Sequence, residues 1–105
     1  MAILHPNKNE FDALVNEGGV LFVDFFADWC GPCKMLAPEM EKLAAEFEGK
    51  AKVVKINVDE HNDLAAEFGV QSIPALFIIK NGQVVNQDLG YKPYPALQSM
   101  LNQAI

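Results

Sequence analysis

Cys30 and Cys33 are the only two cysteines of this chain, and only Gly31 and Pro32 separate them. Two thiols that close together can open and close a small disulfide ring, so the first chemistry to consider is thiol redox. Three duller readings compete. A structural disulfide across so short a loop constrains the unfolded chain little. A zinc site needs four ligands, and beyond the two cysteines the chain offers only His5 and His61, far off in unrelated contexts. An inert buried pair fits poorly with Trp29, Gly31 and Pro32 as neighbours.

The placement of the pair depends on the elements around it. Val20-Leu21-Phe22-Val23-Asp24-Phe25-Phe26 is a continuous apolar run with a single charge, suited to a central strand covered on both faces. After Cys30, the residues Met35, Leu36, Met40, Leu43 and Phe47 recur at helical spacing up to Gly49 and read as core. Pro38 falls within that helix and is expected to kink it. Upstream, Asn7 and Glu10 make a capping box for a first helix carrying Phe11, Leu14 and Val15, which Gly18-Gly19 ends.

Downstream, Lys52 to Val58 reads as a second buried strand and Asp63 to Phe68 as a short helix. Ala75 to Lys80 and Gln83 to Leu89 flank Asn81-Gly82, a strong hairpin signal. Pro93 opens a last helix with Leu97, Met100, Leu101 and Ile105 facing inward, and Ala2 to Leu4 is a candidate short strand. Strands joined through helices are expected to lie parallel, with the hairpin adding an antiparallel edge. The fold class expected is α/β, a central mixed β-sheet with helices on both faces, in one domain over residues 1–105.

Composition narrows the setting. Eight Lys and Arg against fourteen Asp and Glu give a net charge of −6, which argues against nucleic acid or an anionic membrane as partner. No apolar run is long enough for a bilayer, and the start lacks the pattern of a signal peptide. A cytoplasmic, reducing location is expected, where a close cysteine pair points to catalysis or metal binding.

If the strand ends at Phe26 and the helix starts near Gly31, Cys30 sits at a helix N-terminus. Free N–H groups and the helix dipole there favour a thiolate. Cys33, one turn on, is expected to point inward beneath an exposed Cys30. That arrangement suits two-step exchange, with Cys30 attacking a disulfide and Cys33 resolving the mixed disulfide. Trp29 reads as a partly exposed lid on the pair. Asp24 could be a solvated strand-edge charge, but its apolar neighbours favour burial, which raises a carboxyl pKa. His5 and His61 read as solvated and carry no role.

The run Trp29-Cys30-Gly31-Pro32-Cys33-Lys34 resembles the active-site segment of the thioredoxin family, and the likeness covers nearly the whole chain. Val23-Asp24-Phe25 precedes it; Ala37-Pro38, Ile73-Pro74, Lys80-Asn81-Gly82 and Gly90 follow in the family's order. The resemblance implies a thioredoxin fold and a protein-disulfide reductase. It implies that Cys30 is the nucleophile, Cys33 the resolving thiol, Asp24 the buried carboxylate that takes the Cys33 proton, and Lys55 the lysine beside it. Pro74 matches the family's cis-proline. Trp29, Gly31, Pro32, Ile73, Gly90 and Tyr91 would meet the substrate. The implied partners are a thioredoxin reductase, itself reduced by NADPH, and disulfide-containing client proteins. The chain would work as a monomer, with no metal or organic cofactor beyond the Cys30–Cys33 disulfide.

Departures from the family pattern bear on partner choice. Phe26 stands where many relatives carry a second tryptophan, so an indole partner such as Asp59 must bond elsewhere. Ala75 replaces a common threonine, Ser72 a frequent glycine, and Tyr91 lies in an unusual segment, Gly90 to Pro95. Two other roles use the same surface: a thioredoxin-fold binding subunit without redox activity, and a dedicated donor to one enzyme.

Overall fold

A computed structural model describes residues 3–105. The chain runs through α1 (Lys8–Glu17), β1 (Val20–Phe26), α2 (Gly31–Glu46), β2 (Lys52–Asn57), α3 (Asn62–Glu67), β3 (Ala75–Lys80), β4 (Gln83–Leu89) and α4 (Tyr94–Ala104). The capping box forms as the sequence implies. The Asn7 side chain accepts from the Glu10 N–H, and the Glu10 carboxylate accepts from the Asn7 N–H, each at 2.9 Å.

The strands form one sheet in the order β2-β1-β3-β4, with β1 parallel to β2 and antiparallel to β3, and β4 antiparallel to β3. Strand alternation sorts the side chains into two layers. Val20 and Phe22, with Leu76 and Ile78, pack against Leu36, Met40 and Leu43 of α2 and Leu97 and Leu101 of α4. Leu21, Val23 and Phe25, with Phe77 and Ile79, pack against Phe11 of α1 and Leu64 of α3. The mixed sheet between helical layers is the architecture expected from the sequence. Asp24 has the parity of Phe22, which puts it in the α2 layer.

One strand direction differs from the sequence expectation. β2 and β3 are joined through α3 yet run opposite ways, because β3 is antiparallel to β1. Helix length is the reason. The sixteen residues of α2 span about 24 Å, enough to return the chain to the far end of the sheet, whereas the six of α3 span about 9 Å. The chain therefore re-enters the sheet at the end it had just left, which is the end bearing the cysteines.

Smaller corrections follow the same geometry. Met35, expected in the core, is 60% exposed: it sits about 100° round the helix from Leu36, off the inward row of Cys33, Leu36, Met40, Leu43 and Ala44. Ile105 lies past the last helical residue and is exposed, while Met100 packs against the core as expected. The candidate strand at Ala2 to Leu4 reduces to a single bridge between Leu4 and Val54, with Ala2 outside the described residues. α2 runs unbroken through Pro38, which lacks the N–H that would reach the Lys34 carbonyl.

Candidate active site

The pair sits where β1 hands over to α2. Cys30 is the N-cap of α2, in extended conformation, and its Sγ accepts the Cys33 N–H at 3.2 Å. An apolar residue at an N-cap would leave that amide unsatisfied; here a sulfur satisfies it. Pro32 falls in the first turn, where a missing N–H costs nothing. The i,i+3 spacing lets the two sulfurs meet, and Cys30 and Cys33 form a disulfide with Cα atoms 5.2 Å apart.

The expected contrast between an exposed and a buried sulfur is not what the disulfide form presents. Cys30 is 5% exposed and Cys33 3%. Ala27 is buried with them, and Phe26, Val58 and Ile73 pack around the three. Of these, Ala27 and Val58 were not foreseen as site neighbours. They fall just past the ends of β1 and β2, where the parallel pairing brings both strand ends together: the Val58 N–H donates to the Phe26 carbonyl at 2.9 Å.

Asp24, two residues before Phe26 on β1, is fully buried, with no hydrogen-bond partner for either carboxylate oxygen. Burial pushes its pKa up from 3.8 to about 7, and the charge of Lys55 offsets part of that rise. Lys55 is the residue paired with Asp24 across the parallel β1–β2 ladder, so strand register alone puts the two on one face. The Lys55 ammonium rests 4.4 Å from the centroid of the Phe26 ring. That contact was missed from sequence, since it needs the β1–β2 register as well as the alternation within each strand.

Pro74 begins the return to the sheet, and its peptide bond with Ile73 is cis. The Ile73 carbonyl oxygen lies 3.8 Å from Cys30 Sγ, so this backbone borders the disulfide directly. The Gly90 N–H donates to the Pro74 carbonyl at 2.8 Å, which ties the Gly90–Tyr91 turn to the same segment. Gly90 has φ +85°, a conformation that side chains disfavour. Tyr91 is exposed. Ile73, Pro74 and Gly90 thus lie with the disulfide at one end of the sheet, linked by these backbone contacts.

Trp29 is 69% exposed, more than a lid would be, and its indole N–H donates to Asp59 at 2.9 Å. Asp59 therefore has an indole partner although Phe26 replaces the second tryptophan. Gly31 and Pro32 are also exposed, beside Trp29. Among the described residues, no group of three or more His, Cys, Asp and Glu is arranged to hold a metal ion. No helix among them is long and apolar enough to cross a membrane.

Comparison with known proteins agrees with this geometry. Residues 2–103 match the family model described as Thioredoxin. The chain is 48% identical over 104 residues to a thioredoxin of Haemophilus influenzae, covering 98% of this chain and 97% of that one. It is 49% identical over 102 residues to a thioredoxin of Bacillus subtilis, covering 97% of each. Among solved structures, a mutant thioredoxin from Halobacterium salinarum superposes with a TM-score of 0.88 at 35% identity, covering 99% of this chain and 95% of that one.

Proposed function

The chain belongs to the thioredoxin family, and from that membership we propose how its residues share the work of thiol–disulfide exchange. The activity is that of a protein-disulfide reductase, a thiol–disulfide oxidoreductase whose redox-active group is the Cys30–Cys33 pair. The observation that carries the assignment of roles is the position of the two sulfurs on α2: Cys30 caps the helix and Cys33 lies one turn inside it.

In the reduced protein, the Cys30 thiolate gains from the free N–H groups and dipole at the start of α2. It attacks one sulfur of a client disulfide, forming a mixed disulfide and expelling one client thiolate. Asp24 takes the Cys33 proton, which its raised pKa suits near neutral pH. The Cys33 thiolate then attacks Cys30 Sγ, expels the second client thiolate and closes the Cys30–Cys33 disulfide. Two electrons pass to the client. A thioredoxin reductase drawing on NADPH returns them.

Lys55 tempers the charge of Asp24. Trp29, Gly31, Pro32, Ile73, Pro74, Gly90 and Tyr91 form the surface that receives an extended client segment, with the backbone beside Cys30 Sγ as its seat. The whole of residues 1–105 acts as one domain and as a monomer in the cytoplasm. Clients and the reductase are its partners, rather than nucleic acid or membrane, and the disulfide is its only redox centre. The test is reduction of a model protein disulfide by the dithiol form, repeated with Cys30→Ser. Loss of activity is expected; full activity in that variant would overturn the mechanism and favour a binding subunit.

A further inference from the structure

Phe26 follows Asp24 by two positions, so alternation along β1 turns both side chains to the α2 side of the sheet. Across the ladder, Lys55 is level with Asp24. The Lys55 ammonium lies over the Phe26 ring, 4.4 Å from its centroid, and the same ring packs against the Cys30–Cys33 cluster. Neither Asp24 oxygen has a hydrogen-bond partner, so the ammonium is held by the ring and not by the carboxylate. Its charge nonetheless reaches Asp24, where it opposes the effect of burial.

A lysine stem is flexible, and its ammonium is strongly hydrated. Left alone it would extend into water, where its attraction to a buried carboxylate is screened. The negative face of an aromatic ring supplies the attraction that keeps it in place. We propose that Phe26 is a positioning residue: its ring face fixes the Lys55 ammonium within Coulombic reach of Asp24, and so tunes how readily the Asp24 carboxyl gives and takes a proton.

The inference rests on Asp24 serving the dithiol, but its test reads the carboxyl itself. Across the two ladders Asp24 is level with Lys55 on β2 and with Leu76 on β3, which does not titrate, and among the described residues Lys55 is the charge that shifts it. In the oxidised protein the cysteines are joined and silent, so the Asp24 midpoint can be followed cleanly by carboxyl carbon-13 NMR.

The comparison takes wild type, Phe26→Leu, Phe26→Tyr, Lys55→Met and the double variant Phe26→Leu/Lys55→Met. The midpoint should rise by roughly half a pH unit in Phe26→Leu and by about one in Lys55→Met. It should stay at the wild-type value in Phe26→Tyr, and in the double variant should match Lys55→Met alone. Pentafluorophenylalanine at position 26 keeps the ring's shape and inverts the charge of its face, so it should raise the midpoint even if Phe26→Leu folds poorly. An unchanged or lowered midpoint in Phe26→Leu or the fluorinated protein would overturn the proposal. So would an equal rise with and without Lys55, since the ring would then act by packing alone. Normal turnover by Asp24→Asn would instead remove the catalytic reading of Asp24 and leave these midpoints as they are.

Discussion

The Trp29 indole N–H donates to the Asp59 carboxylate at 2.9 Å, linking the residue before Cys30 to the turn after β2. Asp59 is held in place by its own backbone N–H, which donates to the Asn57 side chain at 2.9 Å. An exposed ring beside the reactive sulfur is thereby fixed at its polar edge. Both partners face water, so the bond adds little stability.

Its effect should therefore appear in client binding. Asp59→Ala is expected to leave the melting temperature within a few degrees of wild type while raising the KM for a protein disulfide several-fold. The kcat should change little. Steady-state kinetics on a protein client, beside thermal unfolding, separates the two; an unaltered KM would mean that the tether is ornamental.

Trp29 is also the only tryptophan in the chain. Its indole adjoins the N-cap residue whose sulfur changes state, so its emission should differ between oxidised and reduced protein. A fluorescence scan before and after dithiothreitol checks this. Identical spectra would place the ring outside the influence of the pair.

Asp24 predicts a pH dependence with a definite sign. Its pKa is about 7 in the folded protein and about 3.9 when unfolded, so the folded state holds its proton the more tightly. Its contribution to stability is thus greatest below pH 4, falls as pH rises between about 4 and 7, and levels off above. The full loss is about 4 kcal/mol. Asp24→Asn removes this titration, and at pH 8 should stabilise the oxidised protein by about 2 kcal/mol, less than the full amount because the amide is also buried without a partner. The gain should shrink toward pH 4. Urea unfolding at pH 4 and pH 8 measures both points, and equal stability of the two proteins at pH 8 contradicts the account. The same substitution should slow the resolving step, since Cys33 loses its base.

Cys33→Ser is expected to trap the first half of the exchange. With Cys30 free to attack and nothing to resolve, a covalent complex with the client should accumulate, visible as a summed mass that dithiothreitol releases. Absence of any mixed disulfide would reverse the roles of the two sulfurs.

Much of this was readable from the chain, for identifiable reasons. The run Val20 to Phe26 is apolar on both sides of its alternation, which only a strand buried between two layers accommodates. The Asn7–Glu10 box and the Asn81-Gly82 turn are short-range chemistry, decided within four residues. What escaped was set at longer range. The direction of β3 depends on the length of α3, and the Lys55–Phe26 contact on the register between two strands. Met35 lies one position off the inward row of its helix, too fine a difference for a run of apolar residues to reveal. The burial of Cys30 draws on Val58 and Ile73 as well as on its neighbour Phe26, and Ile73 is more than forty residues away.

The course of β3 leaves the molecule with two unlike poles. Its first residue, Ala75, adjoins the segment over the disulfide, while its last, Lys80, turns at Asn81-Gly82, where the Gly19 N–H donates to the Asn81 side chain. Six strand residues, about 20 Å, separate the two ends. A dye, a surface linker or a fused peptide attached at Lys80 or Gln83 would therefore hold the protein by its idle end and leave the cysteine end facing outward. The hairpin gives this chain a handle that its chemistry does not use.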